Sequence, residues 1–305
     1  MTGHAVHPAM ERIVVPVTSV HAAEVVSELS RRSAAEVIAV AVDVGQAAPL
    51  DQLRDVALAA GALRCHVFDR RERLAERFLW PALRAGLLGV SGEPVLTALT
   101  SPCVAEAAVE VARFEHATAI AAAAPGPRER QPLLAALREL TPELGVVTVG
   151  RGTDAGDERN LWARVQRLAP GDGRPADPAA AKAPAHLVVT FEHGLPVALN
   201  RIPMPPAEIV DSLTTIARAQ AVAPETVSGP AGERWLMDAP AAAALHRACA
   251  TLAERSLDEA TQVFAAGAAE TYAGLVRDGH WFTPLRGGLE AFAAQVFDLV
   301  SGEGR

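Results

Sequence analysis

The residues whose place in the chain suits them to chemistry begin just after the first β-branched run, Arg12-Ile13-Val14-Val15-Pro16-Val17. In a doubly wound sheet, ligands bind at the carboxyl ends of strands, and the turn after the first strand is the usual phosphate cradle. Here that turn is Thr18-Ser19-Val20-His21-Ala22. The hydroxyls of Thr18 and Ser19 can meet an anion, but without a glycine the backbone cannot wrap closely around a pyrophosphate. The competing role for this segment is a strand-to-helix turn with Ser19 as the helix N-cap. Asp43 and Gln46 follow a second apolar run, where they can serve a ligand or cap the next turn. Arg128 and Arg130, close after Gly126, are suited to holding an anion or to forming a solvated charged loop. Glu225, after Pro224, is a candidate ligand contact or a turn residue. Cys65, Cys103 and Cys249 lack paired spacing, and none of the nine His forms an i, i+4 pair, so neither a metal site nor a disulfide is expected.

Elements that must position these groups are legible from periodicity. Arg12–Val17 reads as a strand, 22–32 as a helix and 36–43 as a second strand. A helix is expected over 56–62, a strand over 64–69, a longer helix over 73–88, another over 102–116, a strand over 119–124, a helix over 133–140 and a strand over 145–149. Alternation of this kind implies a parallel sheet with helices on both faces. Between Gly150 and Pro184 the composition shifts to Gly, Pro, Asp and Ala, with too little apolar periodicity for an element. The chain resumes with a hairpin turning at Glu192-His193-Gly194 and with helices over 206–220, 239–253, 257–278 and 285–300. The expectation is therefore an α/β chain of two domains: a doubly wound, Rossmann-like parallel sheet over 1–150, a linker over 151–184, and an α+β domain over 185–305.

Composition narrows the function classes. Half of the 305 residues are hydrophobic, enough for a sizeable core, which excludes a disordered or fibrous chain. The net charge is −8 with signs interspersed, so no basic stripe exists for a nucleic acid. No signal-like start is visible, and no stretch is expected to reach the ~20 apolar residues of a membrane span. A cytoplasmic protein without membrane or nucleic-acid partners is the expectation.

Several segments in order carry a resemblance. Glu36-VIAVAVDVGQ-Gln46 is similar to the "VIA-TADIGQ" stretch of argininosuccinate synthases, Phe78-LWPALRAG to "FIFPALRA", Leu96-TALTSP to "LGTSLARP", and Asn160-Leu161-Trp162 to "ENLWGRS". Gly194-LPVALN matches "G-PVALNG", Asp238-Ala239-Pro240 matches "YEAPG", and Tyr272-AGLVRDGHWFTPLR matches "YAELVYNGLWFSPLR". The chain resembles that family over most of its length. The resemblance implies a HUP-type ATP pyrophosphatase domain joined to a synthetase domain, and condensation of citrulline with aspartate after adenylation by ATP.

The residues that the resemblance assigns to chemistry differ here. The family's pyrophosphate loop S-G-G-L-D-T-S falls on Thr18 to Glu24, with both glycines, the aspartate and the threonine replaced. Its second loop falls on Ala122 to Leu133, with Pro125, Glu129 and Arg130 standing for Thr, Asn and Asp, while Gly126 and Gln131 are kept. On the citrulline side, Glu93, Ala98, Gly156, Val165 and Met237 stand for Tyr or Ser, and Glu225 keeps its identity. Losing one hydrogen-bond partner costs about 1–3 kcal/mol, so losing most of them disables the ancestral reaction. Expected, then, are no catalytic residues and no cofactor, with ATP and magnesium needed only if the family activity survives. The remnant nucleotide loop comprises Thr18, Ser19, Asp43, Gln46 and Gly126, and the candidate ligand contacts are Glu225, Arg128 and Arg130. The expected role is binding, scaffolding or regulation, with a homo-oligomer or a hetero-oligomer with a related subunit as the assembly. The alternative is an ATP-dependent carbon–nitrogen ligase acting on altered substrates. The chain ends where the family's C-terminal arm is expected to follow, so a family-like tetramer is not expected.

Overall fold

Unbroken apolar sequence makes Arg12–Val17 (β1) a strand buried on both sides: Ile13, Val15 and Val17 join one core and Val14 the other. The structure, a computed structural model, describes residues 11–32, 35–89, 95–122, 127–149, 157–168, 186–220, 222, 224–228, 234–298 and 300–304. Glu36–Asp43 (β2) repeats the pattern, with Val37, Ala39 and Ala41 on the first side and Ile38, Val40 and Val42 on the second. With Arg64–Asp69 (β3), Ala119–Ala122 (β4) and Gly145–Thr148 (β5) they form a five-stranded sheet in the order β3-β2-β1-β4-β5, every pair parallel.

Ala22–Arg32 (α1) and Leu50–Ala59 (α2) cover the first face through Val26, Leu29, Leu53 and Ala57. The other face carries Arg71–Leu74 (α3), Trp80–Arg84 (α4), Val95–Ala98 (α5), Thr100–Phe114 (α6) and Pro127–Leu140 (α7). The helix expected over 73–88 is broken into α3, a π turn over Ala75–Leu79, and α4. Pro81 has no N–H and its ring crowds the carbonyl four residues back, so the helix widens, and Trp80 N–H bonds to the Ala75 carbonyl instead. Helix α7 begins six residues earlier than expected, which moves Arg128 and Arg130 from a loop into a helix. Val95–Phe114 reaches the length and hydropathy of a membrane span (20 residues, mean hydropathy 1.4), contrary to expectation. It is 67% buried, however, because Cys103, Ala107 and Val111 pack in the core.

Part of the segment read as a linker is structured. Asp157–Arg159 (β6) and Arg164–Arg167 (β7) pair with each other, and β7 also pairs with a later strand. Composition hid them because their apolar content is low and the second partner of β7 lies some seventy residues away in sequence. Val189–Glu192 (β8) and Leu195–Leu199 (β9) form the expected hairpin, with positive φ at His193 and Gly194. Ile202–Pro203 (β10), Pro206–Ala219 (α8), Glu225–Ser228 (β11), Arg234–Asp238 (β12), Pro240–Ser256 (α9), Glu259–Asp278 (α10), Pro284–Phe297 (α11) and Gly302–Gly304 (β13) complete the order. Two antiparallel sheets result, β10-β9-β8-β13 and β11-β12-β7-β6.

At the amino ends of the parallel strands, an ionic cluster gathers on Glu115, which is 3% exposed. His66 Nε2 lies 2.7 Å from its Oε1, Arg64 donates to its Oε2 at 3.0 Å, and Arg12 donates to its carbonyl at 2.8 Å. The hydrogen bond with His66 first, and then the charge of Arg64, hold the Glu115 carboxyl below the usual range against the opposing effect of burial. A carboxyl lowered on folding contributes stability that is present above its unfolded value and lost as pH falls through the lowered one. Glu115→Gln is therefore expected to shrink the loss of urea stability as pH falls below about 4.5, the ordinary value for this carboxyl. Identical acid limbs for the two proteins would contradict this assignment.

Candidate functional site

The carboxyl ends of β1 and β2 carry the predicted site residues, and their chemistry begins with the turn after β1. Thr18 and Ser19 are half-buried there. Three successive amides are engaged by local carbonyls: Ala22 N–H donates to Ser19, Ala23 to Val20 and Glu24 to His21, at 3.1 to 3.2 Å. These are the donors that a helix N-terminus would present to a phosphate. It is the Ser19 carbonyl, by this bond, that opens α1. The turn contains no glycine, and its β-branched Val20 is exposed.

After β2 both retained side chains close the local turn. Asp43 Oδ1 accepts from Gly45 N–H at 2.8 Å, and Gln46 accepts from Val44 N–H at 2.8 Å while donating to the Val42 carbonyl at 3.1 Å. Gly45 sits at φ +87 with its open side against the Leu161 backbone; a Cβ there would lie 2.4 Å from Leu161 Cα. The turn after β2 thus rests directly on the 160–163 loop.

That contact forms one wall of a polar cleft of about 290 Å³. Asp43, Gly45 and Gln46 lie on one side, Arg71 of α3 beside them, and Asp211, Thr214, Thr215 and Arg218 of α8 opposite. Arg159, Arg164 and Asp238 supply a third wall; they pair in register across β6, β7 and β12. Helix α8 is held by Glu72, whose carboxylate accepts from Ala207 N–H at 3.1 Å, the charge a helix N-terminus favours.

Charges in the cleft are partly matched. Arg71 pairs with Asp69 at 2.7 Å and lies 3.6 Å from Asp43, and the Asp69 hydrogen bond holds its guanidinium firmly in the charged form. Arg218 reaches Asp238 at 3.4 Å. Burial, with neighbouring Asp43 adding, pushes the Asp211 carboxyl up against the pull of Arg71. Two donors in the wall, the Trp162 indole N–H and the Thr214 hydroxyl, are buried without a partner among the described residues. Such a group costs about 1–3 kcal/mol unless an occupant or water satisfies it.

Of the predicted residues, the cleft gathers Asp43 and Gln46 and leaves out Thr18, Ser19, Arg130 and Glu225. Arg130 is half-buried in α7, and Gly126 and the side chain of Arg128 lie outside the described residues, as do Glu93 and Gly156. Glu225 is exposed on β11, directly opposite Met237, which in turn stands opposite Val165. Sequence reasoning missed Arg71, Asp211, Thr214, Arg218, Arg164 and Asp238. One signal was available: Asp211, Thr214, Thr215 and Arg218 recur at i, i+3, i+4 and i+7, a polar stripe opposite Ile209, Val210 and Leu213.

Comparison with known proteins gives two matches to family models. The model described as the arginosuccinate synthase N-terminal HUP domain covers residues 18–167, and that of the arginosuccinate synthase C-terminal domain covers 175–305. Among individual proteins, the argininosuccinate synthase of Moorella thermoacetica is 30% identical over 310 residues, spanning 88% of this chain and 76% of that protein. The argininosuccinate synthase of Pelotomaculum thermopropionicum is 30% identical over 315 residues, with 88% and 77% covered, and that of Rubrobacter xylanophilus is 28% identical over 313, with 89% and 76%.

Proposed function

The chain belongs to the argininosuccinate synthase family, and we propose that within it this protein is a non-catalytic member, acting in binding, scaffolding or regulation. The observation that carries this reading is the turn after β1. Its amides at 22, 23 and 24 are bonded to local carbonyls, and it has no glycine, so three of the backbone donors that electrostatic positioning for adenylation by ATP would draw on are already engaged. The citrulline side supports the same reading. Val165, Met237 and Glu225 fall in one cross-strand row, where an apolar pair occupies positions that the family resemblance assigns to hydroxyls. Val165, at 1% exposed, offers no hydrogen bond to a polar substrate. On this reading the partner is a second copy or a related subunit.

With ATP, magnesium, citrulline and aspartate, pyrophosphate release is expected to match the protein-free control. Sustained turnover at micromolar protein would overturn the reading. The second reading, a ligase acting on altered substrates, is favoured by one observation: the cleft lies at the carboxyl end of β2, where doubly wound sheets bind ligands, and keeps Asp43 and Gln46. Pyrophosphate formation from ATP with any member of an amino-acid panel would establish it.

A further inference from the structure

We propose that the cleft between β2, α3, α8 and the β6-β7-β12 wall binds a small charge-separated zwitterion, an ammonium and a carboxylate held apart by a short chain. The cleft has two poles. At one, Asp43 and Asp211 stand together, with Arg71 as the neighbouring cation; Arg71 also serves Asp69, and the Asp211 carboxylate, unlike its backbone carbonyl, which accepts from the Thr215 hydroxyl at 2.9 Å, makes no hydrogen bond or ion pair among the described residues. At the other pole stand Arg159, Arg164 and Arg218, with Asp238 as the neighbouring anion. Arg159 has no ion-pair partner among the described residues, and the Arg218 guanidinium is half-exposed. Along α8 the poles are seven residues apart, about 10 Å at 1.5 Å per residue, with Thr214 and Thr215 between them.

A simple anion satisfies only the basic pole, and a simple cation only the acidic one. A zwitterion answers both, and the lining between the poles, Thr214 and Thr215, is polar. The volume, about 290 Å³, lies at the small end of ligand pockets, which suits an amino-acid-sized molecule.

This site is separate from the positions that family resemblance assigns to citrulline. Side chains alternate along a strand, so Arg164 and Asp238 face the cleft while Val165 and Met237 face the other side of the same sheet. The inference therefore stands whatever the turn after β1 does with ATP.

The test is calorimetric titration and thermal shift of the full chain with 6-aminohexanoate, against hexanoate, hexylamine, glycine and inorganic phosphate. Saturable binding of 6-aminohexanoate is expected, at least about tenfold tighter than each single-charge analogue and than glycine, which is too short to span the poles. Asp211→Asn and Arg159→Gln, both checked for native circular dichroism, are each expected to weaken it about tenfold. Full affinity in both variants overturns the proposal, as does binding of hexanoate or phosphate as tight as the zwitterion's, which would make this an anion site. Absence of saturation up to about 50 mM also overturns it. Turnover of ATP together with zwitterion binding would sink the non-catalytic reading and leave this one standing.

Discussion

Asn160→Ala is expected to destabilise the protein by about 3 kcal/mol in urea unfolding, with the slope unchanged. Asn160 is 4% exposed and makes four hydrogen bonds through one side chain. Its amide nitrogen donates to the Leu96 carbonyl at 2.9 Å and to Thr100 Oγ1 at 3.1 Å, while its oxygen accepts from Trp162 N–H at 3.1 Å and Ala163 N–H at 2.9 Å. It thereby ties the loop that forms one cleft wall to α5 and α6. Alanine strands two backbone donors and a carbonyl in a buried place, which explains the size of the effect. Asn160→Asp keeps the acceptor but sets a carboxylate against the Leu96 carbonyl, so its deficit is expected to lessen as pH falls and the group gains a proton. A loss below about 1 kcal/mol for the alanine variant would mean that water replaces the amide and the tie is not structural.

Trp281→Ala is expected to cost about 3–5 kcal/mol, the largest effect among the substitutions considered, with Trp281→Phe costing clearly less. Trp281 is 2% exposed, with its ring 5.0 Å from that of Phe78 and 6.1 Å, edge-on, from that of Tyr272. Arg286 lies over it at 4.5 Å, and pairs with Glu290, which accepts from the Tyr272 hydroxyl at 2.9 Å. The tryptophan joins the widened α3–α4 segment, through Phe78, to α10 and α11. Just before it, Gly279 ends α10 at φ +82, so close to Pro132 of α7 that a Cβ would lie 2.5 Å from the Pro132 backbone. A urea midpoint within a few tenths of the wild type's would show that neighbouring side chains collapse into the space, and would remove this residue from the framework.

These two sites explain why the segments carrying the family resemblance are the ones this chain retains. Asn160-Leu161-Trp162 and Trp281-Phe282-Thr283-Pro284-Leu285 hold separate parts of the chain in place, and packing tolerates change poorly. Asp43 and Gln46 belong with them in part, since both close a turn by local hydrogen bonds.

The parallel sheet was legible because its signal is local. β1, α1, β2 and β3 match the expected bounds, since a two-sided apolar run followed by an amphipathic stripe needs no distant partner to be recognised. The hairpin at His193-Gly194 was legible for the same reason. The break before Trp80 was not, because a proline inside an otherwise helical pattern is resolved by how the neighbouring core accepts a widened turn. Nor were β6 and β7, whose apolar content is low; β6 pairs only with β7 among the described strands, and β7 with the distant β12.

Of the site, residue order alone determined that the turn after β1 holds no glycine and that Asp43 and Gln46 follow β2. Which of the two readings open for those side chains applies was decided by the local turn, where both bond to backbone two to four residues away. The cleft itself was a tertiary result. Arg71, Asp211, Arg218 and Asp238 come from elements far apart in the chain, and charges scattered in sequence become a bipolar wall only when α8 and the β6-β7-β12 face are packed against the end of β2.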